Sequence, residues 1–149
     1  MSTEDNLIVD AATRIFQDLA EPGVINDAEA GIWPEALWNA LEESGLTLAW
    51  GDETLGGAGV EMLDGFALLK AAGRFSVPAP MAETMMAAWL LGHGRIELPM
   101  GPMSIAPTQI DARITLGADG ALAGTARFVP FGRTAEHLAV LARRSGASV

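Results

Sequence analysis

The chain has 149 residues, half of them hydrophobic, which is enough to bury a sizeable core and predicts one domain, or one domain and part of another. Its formal net charge of −10 argues against a nucleic acid or an anionic membrane as a partner, because both select clustered Lys and Arg. The absence of cysteine excludes disulfides and cysteine-ligated metals.

Charge is divided unevenly along the chain. Residues 1–110 carry sixteen acidic and four basic side chains, whereas residues 111–149 carry three acidic and five basic ones, which predicts two structural units. The acidic N-terminus lacks the basic region of a secretory signal, and the longest apolar stretch, residues 85–92, is far shorter than the ~20 residues of a membrane span. We therefore expect a soluble, cytoplasmic protein.

Helical periodicity runs from residue 6 to about residue 94. The first predicted helix is amphipathic, and "EPGVINDAEAG" (21–31) is predicted to break it, because it begins with Glu-Pro-Gly. A second helix is predicted to start at Pro34 and to end at Gly45. The residues expected on the buried faces of these two helices are Leu7, Ala11, Ile15 and Leu19, widened by Ile8 and Phe16, and then Leu37, Trp38 and Leu41.

Two more helices are predicted before the helical periodicity ends. The third spans about Glu61 to Ala72, and the fourth spans about Met81 to Leu91 after the break "SVPAP". Their expected inward residues are Met62, Phe66 and Leu69 on the third, and Met85, Trp89 and Ala88 on the fourth.

Short strands are predicted after Gly94. "ARITL" (112–116) and "HLAVLA" (137–142) are apolar runs, and "LGADGAL" (116–122) is typical of a hairpin because Asp119-Gly120 suits positive φ. About three strands with open edges indicate the beginning of a β-domain rather than a whole one. The fold class is therefore mainly α: an N-terminal antiparallel helical bundle (1–96) followed by a few antiparallel strands of an incomplete β-domain (97–149).

The stretch "WGDETLGGAG" (50–59) has two glycines, Gly51 and Gly56, at the spacing of a P-loop. The lysine position of that motif holds Gly57, and Asp52 and Glu53 would repel a polyphosphate. The loop is better explained as a turn in which glycine allows unusual backbone angles.

Three stretches, in this order, resemble the acyl-CoA dehydrogenase family. "LWNALEESGLTLAWGDETLGGAGV" (37–60) resembles its helix, glycine stop and Gly-Gly loop, which joins helices and lets backbones approach closely. "SVPAPMAETMMAAWLLGHG" (76–94) resembles the helix pair of a divergent bacterial branch that handles bulky acyl-CoA thioesters, and "DGALAGTARFVPFGRTAEHLAVLA" (119–142) resembles strands of its β-domain.

The resemblance implies a flavoenzyme that oxidises an acyl-CoA thioester across Cα–Cβ, in which a glutamate removes the α-proton and the flavin of FAD accepts the β-hydride. The family's base lies in a C-terminal helical domain, so no residue of this chain inherits that role. The resemblance also implies a homo- or hetero-oligomer with acyl-CoA dehydrogenase-like subunits. An alternative is a non-catalytic interaction subunit that docks on a flavin-bearing partner.

By the same resemblance, four residues are candidates for FAD contact: Pro107, Thr108, Phe128 and Val129. They stand in "SIAPTQIDA" (104–112), where the family has Thr-Glu-Pro and Gly-Ser-Asp, and in Phe-Val-Pro (128–130), where it has an aromatic residue, Ile and Thr or Ser. Pro130 lacks both the hydroxyl and the N–H donor of that pattern, which weakens the expectation that this chain alone holds FAD.

Other chemistry-bearing residues have a structural interpretation beside the functional one. His93 and His137 are too few for a metal site, and His93 is expected to bond the end of its helix. Glu42, Glu43 and Glu83 suit a solvated helix face better than acid–base catalysis.

Met81, Met85, Met86, Met100 and Met103 suit core packing or an acyl pocket, and Trp33, Trp38, Trp50 and Trp89 suit the core. Ser104 and Thr108 suit solvent-facing strand positions better than the contact with flavin or pantetheine that the resemblance implies, and Arg143-Arg144 suit solvent better than an adenosine phosphate.

Overall fold

The computed structural model describes residues 3–107, 109, 111 and 113–144. Within these described residues, five helices precede five short strands, with two short 3-10 turns, Leu46–Leu48 and Glu53–Leu55, before the fourth helix. The helices are α1 (Thr3–Leu19), α2 (Pro22–Glu29), α3 (Glu35–Glu43), α4 (Met62–Arg74) and α5 (Met81–His93). The strands are β1 (Met103–Ala106), β2 (Ile114–Leu116), β3 (Leu122–Gly124), β4 (His137–Val140) and β5 (Arg143–Arg144). This confirms the mainly α fold class.

Helix α1 packs against α3 and α4 through a face that overlaps the predicted one: Phe16 is fully buried, and Ile8, Ile15 and Leu19 are half-buried against the core. From residue 7 onward, Ala12 and Phe16 are the buried residues of α1, Ala20 just after its end is also buried, and Leu7 and Ala11 are exposed. The small alanines at four-residue spacing let α4 approach α1, and the Phe16 ring fills the space against Phe75 at 5.9 Å between ring centroids. The prediction that Leu7 and Ala11 face the core was wrong.

The predicted break after α1 contains helix α2. Pro22 is its first residue, where a proline lacks no hydrogen bond because the first N–H groups of a helix have no partner within it. Thus Pro22 ends α1 and begins the next helix. The expected stop at Gly45 is confirmed, since Gly45 has φ +74 directly after the end of α3.

Helices α4 and α5 bury small residues and expose several large ones. On α4 the buried residues are Gly65, Leu68, Ala71 and Ala72, while Met62 is 39% and Phe66 is 54% exposed, so their predicted inward orientation was wrong. On α5, Met85 and Ala88 are buried as predicted, but Trp89 is 40% exposed. Close packing of helix axes selects small side chains at the contact, which turns the bulkier apolar neighbours outward.

The strands form two small sheets within the described residues. Strand β1 pairs with β4 in parallel, and β2 lies between β3 (antiparallel) and β5 (parallel). The β2–β3 hairpin is confirmed: Gly120 has φ +82, and the Gly117 N–H donates to the Ala121 carbonyl at 2.8 Å. The expectation of antiparallel strands holds for this pair, whereas the β1–β4 and β2–β5 pairs are parallel, because a crossover connection brings the chain back to the same end of the sheet before each pair forms.

A second apolar cluster joins the helices to the first sheet. Met103 and Ala139 pack with Ala87, Ala88 and Leu98, so β1 and β4 lie directly on α5. The Thr84 hydroxyl, fully buried, donates to the Met103 carbonyl (3.2 Å) and accepts from the Met103 N–H (3.0 Å). A domain boundary at residue 96 stays a prediction. Between residues 3 and 144, no described helix has the length and apolar composition that a membrane crossing requires.

Candidate functional site

The segment of residues 50–60, which we call the glycine loop, directs its backbone N–H donors toward its own carbonyl groups. The N–H groups of Gly57, Ala58, Gly59 and Val60 donate to the carbonyls of residues 52, 48, 51 and 49 at 2.8–3.0 Å. A Cβ on Gly57 would lie 2.1 Å from the Gly51 carbonyl carbon, so only glycine permits this approach. With these donors already bonded, the loop cannot cradle a phosphate, and its predicted role in close backbone approach is confirmed.

A cavity of about 500 Å³ lies between this loop and the C-terminal end of α5. We call it the glycine-loop cavity. Its apolar walls include Leu55, Val60 and Trp89, and its polar groups include Asp52, His93 and Arg95. Its accessible lining is more polar than apolar, and Asp52, His93 and Arg95 are exposed at its mouth, so it is an open polar depression rather than a closed apolar pocket.

The carboxylate of Asp52 is held ionised at the rim of this cavity. The Thr54 hydroxyl donates to its Oδ1 at 2.6 Å, and the Thr54 N–H donates to the same oxygen at 2.8 Å. These hydrogen bonds, with a smaller contribution from the Arg95 guanidinium, hold the pKa of Asp52 below its usual range. The group therefore remains negative at neutral pH.

His93 is fixed by its own helix, as its position predicted. Its Nδ1–H donates to the Trp89 carbonyl at 2.9 Å, and its ring lies 4.3 Å from the Trp89 ring. The other histidine, His137, donates from Nε2 to the Met100 carbonyl at 3.1 Å. Among the described residues, no group of three or more His, Cys, Asp or Glu side chains is arranged to hold a metal ion.

The two segments of the predicted flavin contact lie against each other. Ser104 on β1 is fully buried and donates from Oγ to the Pro130 carbonyl at 2.6 Å, so the expectation of a solvent-facing Ser104 was wrong. This bond sets residues 128–130 over β1, close to the start of the Pro107 segment. Pro107 and Val129 are half-buried, and Phe128 is 84% exposed. Thr108 lies outside the described residues.

The remaining sequence candidates are mostly structural. Glu42 accepts a hydrogen bond from the Gly101 N–H at 2.6 Å, so it ties α3 to the segment before β1 rather than lying free on a solvated face. Trp38, Trp50, Met81, Met85 and Met103 are buried as core packing predicts, whereas Met86, Met100 and Trp89 are exposed. Arg143 and Arg144 are exposed on β5.

Comparison with known proteins identifies the family. The sequence model described as "Acyl-CoA dehydrogenase, N-terminal domain" matches residues 2–98, about two thirds of the chain. The chain belongs to the acyl-CoA dehydrogenase family. A search of curated protein sequences finds no match.

A solved acyl-CoA dehydrogenase has the same fold. It is a glycine-to-alanine variant of the steroid acyl-CoA dehydrogenase Tcur3481–Tcur3483, with a TM-score of 0.77 and 25% sequence identity. The alignment covers 95% of this chain and 45% of that chain. The present chain thus spans less than half of the neighbour's length.

FAD is the cofactor of acyl-CoA dehydrogenases. Its fit can be tested on the residues that the resemblance assigns to flavin contact. A flavin ring has polar edges that need hydrogen-bond donors and an apolar face that suits an aromatic ring. In the described part of residues 104–107 and 128–130, the side-chain hydroxyl of Ser104 is already bonded to Pro130, and the other side chains carry no donor. The exposed Phe128 ring suits the apolar face, but these residues do not fit the polar edges of a flavin.

Sequence reasoning missed Trp89 and Arg95 as cavity residues. Trp89 was assigned to the core because aromatic residues usually are buried, and Arg95 follows Gly94, which looks like a helix stop. The detectable signal for Trp89 was its spacing with His93, because residues four apart on a helix share a face, whereas Arg95 lies beyond the end of α5 and gave no such signal.

Proposed function

We propose that this chain is part of a flavoenzyme that oxidises acyl-CoA thioesters at Cα–Cβ, and that the catalytic base is supplied from outside residues 1–149. The observation that carries this proposal is the extent of the structural match: nearly all of this chain corresponds to less than half of a steroid acyl-CoA dehydrogenase chain. The remaining half would have to come from further sequence or from another subunit.

The proposed cofactor of the assembly is FAD, held mainly by groups outside this chain. Phe128, Val129 and Pro107 are the proposed contacts from this side, with Phe128 as the apolar one, because its ring is exposed beside a segment fixed on β1. Thr108 stays a prediction. In the assembly FAD would supply the redox chemistry, and the residues of this chain would shape and cover its surroundings.

The proposed substrate is a bulky acyl-CoA, and the proposed assembly contains a second acyl-CoA dehydrogenase-like subunit. The structural neighbour is named as a steroid enzyme and as a pair, Tcur3481–Tcur3483. The exposed apolar side chains of this chain around the strands, including Phe128, Leu138 and Leu141, support a covered surface in the assembly.

The test is an acyl-CoA dehydrogenase assay with the full chain alone and with a flavin-bearing acyl-CoA dehydrogenase-like subunit of the same genome. We expect acyl-CoA-dependent reduction of an electron-accepting dye only with both chains. In the pair, Phe128→Ala should lower the rate, while Leu63→Ala on α4, a similarly exposed apolar residue away from the strands, serves as the matched control. Equal activity with the partner omitted would contradict the proposal.

A second candidate function is a non-catalytic interaction subunit that docks on such a partner. It is favoured by one observation: the residue where the family has a hydroxyl is Pro130, and its carbonyl is bonded to Ser104. A complex whose turnover is unchanged by Phe128→Ala, yet whose formation needs this chain, would favour this candidate.

A further inference from the structure

A groove of about 330 Å³ lies where the end of α1, helix α2 and the start of α3 meet, and we call it the acidic groove. Its accessible lining is mainly apolar, and the larger apolar side chains that form it are Leu19, Val24, Ile32, Trp33 and Leu37. In the described part of the chain, every ionisable side chain that lines it is an exposed carboxylate, and these are Asp18, Glu21, Asp27 and Glu35. An apolar floor inside a rim of one charge sign suits a partner that is both apolar and oppositely charged.

Two of the four carboxylates stand where their own helices disfavour a negative charge. Asp18 lies in the last turn of α1 and Asp27 in the last turn of α2, and neither turn contains a basic residue. The C-terminal end of a helix carries a partial negative charge, so a carboxylate there costs stability. Glu21 and Glu35, in contrast, stand at the starts of α2 and α3, where a negative charge is favourable. Helix stability therefore explains Glu21 and Glu35 but not Asp18 and Asp27.

The apolar part of the groove includes a side chain that its own motif leaves without a partner. Helix α2 ends in a Schellman pattern, in which the Gly31 N–H donates to the Ala28 carbonyl at 3.0 Å and the Ile32 N–H donates to the Asp27 carbonyl at 2.9 Å. The residue in the place of Ile32 commonly packs against an apolar residue one turn back, but those positions hold Asn26 and Asp27. Ile32 is accordingly 58% exposed, and its surface is free for an aliphatic side chain of a partner.

Trp33 gives the groove an aromatic wall with a fixed position. It is half-buried, and its ring lies 5.5 Å from the ring of Trp38, which is buried on α3. Beyond Trp33 the apolar surface continues into a smaller cavity of about 100 Å³ that reaches Phe131. An arginine side chain can stack on an indole and pair with carboxylates at the same time, because its guanidinium is planar and has five N–H donors.

We propose that the acidic groove is a docking site for a segment of a partner protein in which arginines alternate with leucine or isoleucine. An arginine of that segment stacks on Trp33 and pairs with carboxylates of the rim, while an aliphatic side chain packs on Ile32 and Val24. Charge complementarity selects this occupant, because the same carboxylates repel nucleic acids and anionic membranes. The acidic groove shares no lining residue with the glycine-loop cavity or with the proposed flavin contacts, so this inference does not depend on the proposed function.

The direct test measures the binding of three labelled peptides to the full chain by fluorescence anisotropy. The first repeats Gly-Arg-Leu-Leu-Arg twice, the second has serine in place of leucine, and the third has glutamate in place of arginine. We expect saturable binding of the first peptide at one per chain, and binding about ten-fold weaker or less for the other two, because each lacks half of the recognised chemistry. Raising NaCl from about 50 mM to about 500 mM should weaken the first peptide, since salt screens exposed charges.

A pair of charge variants separates the groove from the overall negative charge of the chain. Asp18→Asn combined with Asp27→Asn should weaken the arginine–leucine peptide about five-fold or more. Asp10→Asn combined with Glu43→Gln removes the same charge from exposed positions outside the groove, and it should change binding by less than about two-fold. The groove variant should also raise the Tm by about 2 °C, because it removes two anions from helix C-termini. A lower Tm would assign these carboxylates a structural role and contradict the proposal.

A second pair of variants tests the apolar contact. Ile32→Ala should weaken the arginine–leucine peptide about five-fold, because it removes the exposed aliphatic surface of the groove. Leu63→Ala, an exposed leucine on α4 outside the groove, should leave the affinity unchanged within about two-fold.

Equal binding of the three peptides, no saturable binding of the first, or equal losses in the groove and control variants would overturn the inference. Sedimentation velocity of the chain without peptide tests the other occupant, a second copy of this chain. We expect the same sedimentation coefficient for the chain and for its Asp18→Asn and Asp27→Asn variant. Self-association that this variant abolishes would assign the groove to a second copy and would also overturn the proposal.

Discussion

The helical bundle and the sheet formed by β2, β3 and β5 differ in how they are stabilised. In the bundle, Phe16, Leu41, Leu68 and Met85 are completely buried, whereas every residue of β3 and β5 is exposed. The bundle therefore supplies its own hydrophobic stabilisation, and the three-stranded sheet relies on backbone hydrogen bonds. In this sheet only Ile114 and Leu116 of β2 are half-buried, so it is marginal in water, and its stability is expected to come from whatever covers it in an assembly.

The largest expected effect tests this difference directly. Phe16→Ala should lower the free energy of unfolding by about 3–5 kcal/mol, because it opens a cavity in the bundle core. Leu122→Ala in β3 should change it by less than about 0.5 kcal/mol, since Leu122 is 54% exposed. Urea denaturation of both variants measures the two values. Similar losses would mean that the sheet is as well packed as the bundle.

The close contact between α4 and the glycine loop gives the next effect. A Cβ on Gly65 would lie 1.8 Å from Nε1 of Trp50, a buried indole that cannot move aside. Gly65→Ala should therefore destabilise the protein by about 1–3 kcal/mol, despite the better helix propensity of alanine. The matched control is Gly73→Ala on the same helix, where nothing lies within 4 Å and about 0.5–1 kcal/mol of stabilisation is expected. Thermal denaturation of both variants measures the two changes. If both variants were stabilised, the Trp50 indole would be able to shift and accept a Cβ at position 65.

Breaking the contact between the bundle and β1 should have an intermediate effect on the free energy of unfolding. Thr84→Val keeps the side-chain volume but removes both hydrogen bonds to Met103 in a buried position, at a cost of about 1–3 kcal/mol. Thr115→Val, which removes an exposed hydrogen bond to the Ala123 carbonyl in the second sheet, should cost less than about 0.5 kcal/mol. Hydrogen exchange of the Met103 amide would report the first change locally. An unchanged exchange rate would mean that the hydrogen bonds between Thr84 and Met103 do not stabilise β1 against the bundle.

The smallest effect concerns the pH dependence of Asp52. Because its pKa is lowered in the folded state, its contribution to stability is present above the ordinary aspartate pKa and is lost as the pH falls through the folded value. Thr54→Val removes the main cause, so the pKa of Asp52 should rise toward its ordinary value. A carboxyl NMR titration of both proteins measures this shift. An identical titration in the variant would assign the low pKa to another group.

Local signals predicted the parts of the fold that depend on backbone conformation. Gly45 and Gly120 both have positive φ where the sequence indicated a helix stop and a hairpin. The glycine loop was correctly interpreted as a close approach of backbones, because its missing lysine excluded the phosphate alternative. These features depend on few neighbours, so the sequence is sufficient to predict them.

Features set by packing were harder to predict. Periodicity placed Met62, Phe66 and Trp89 inward because large apolar residues are usually buried, but the buried face of α4 combines Leu68 with Gly65, Ala71 and Ala72. Pro22 indicates either a break or a helix start, and only the packed structure distinguishes them. The left-handed Arg95 was hidden by Gly94, the residue that ordinarily takes that conformation.

The central claim is that this acyl-CoA dehydrogenase-family chain does not hold its flavin by itself. The most direct measurement is the visible absorption spectrum of the purified full chain after incubation with FAD and gel filtration. The account predicts a colourless protein, because the described candidate residues Pro107, Phe128 and Val129 carry no side-chain donor for the polar edges of a flavin. Flavin retained at one equivalent per chain would contradict it.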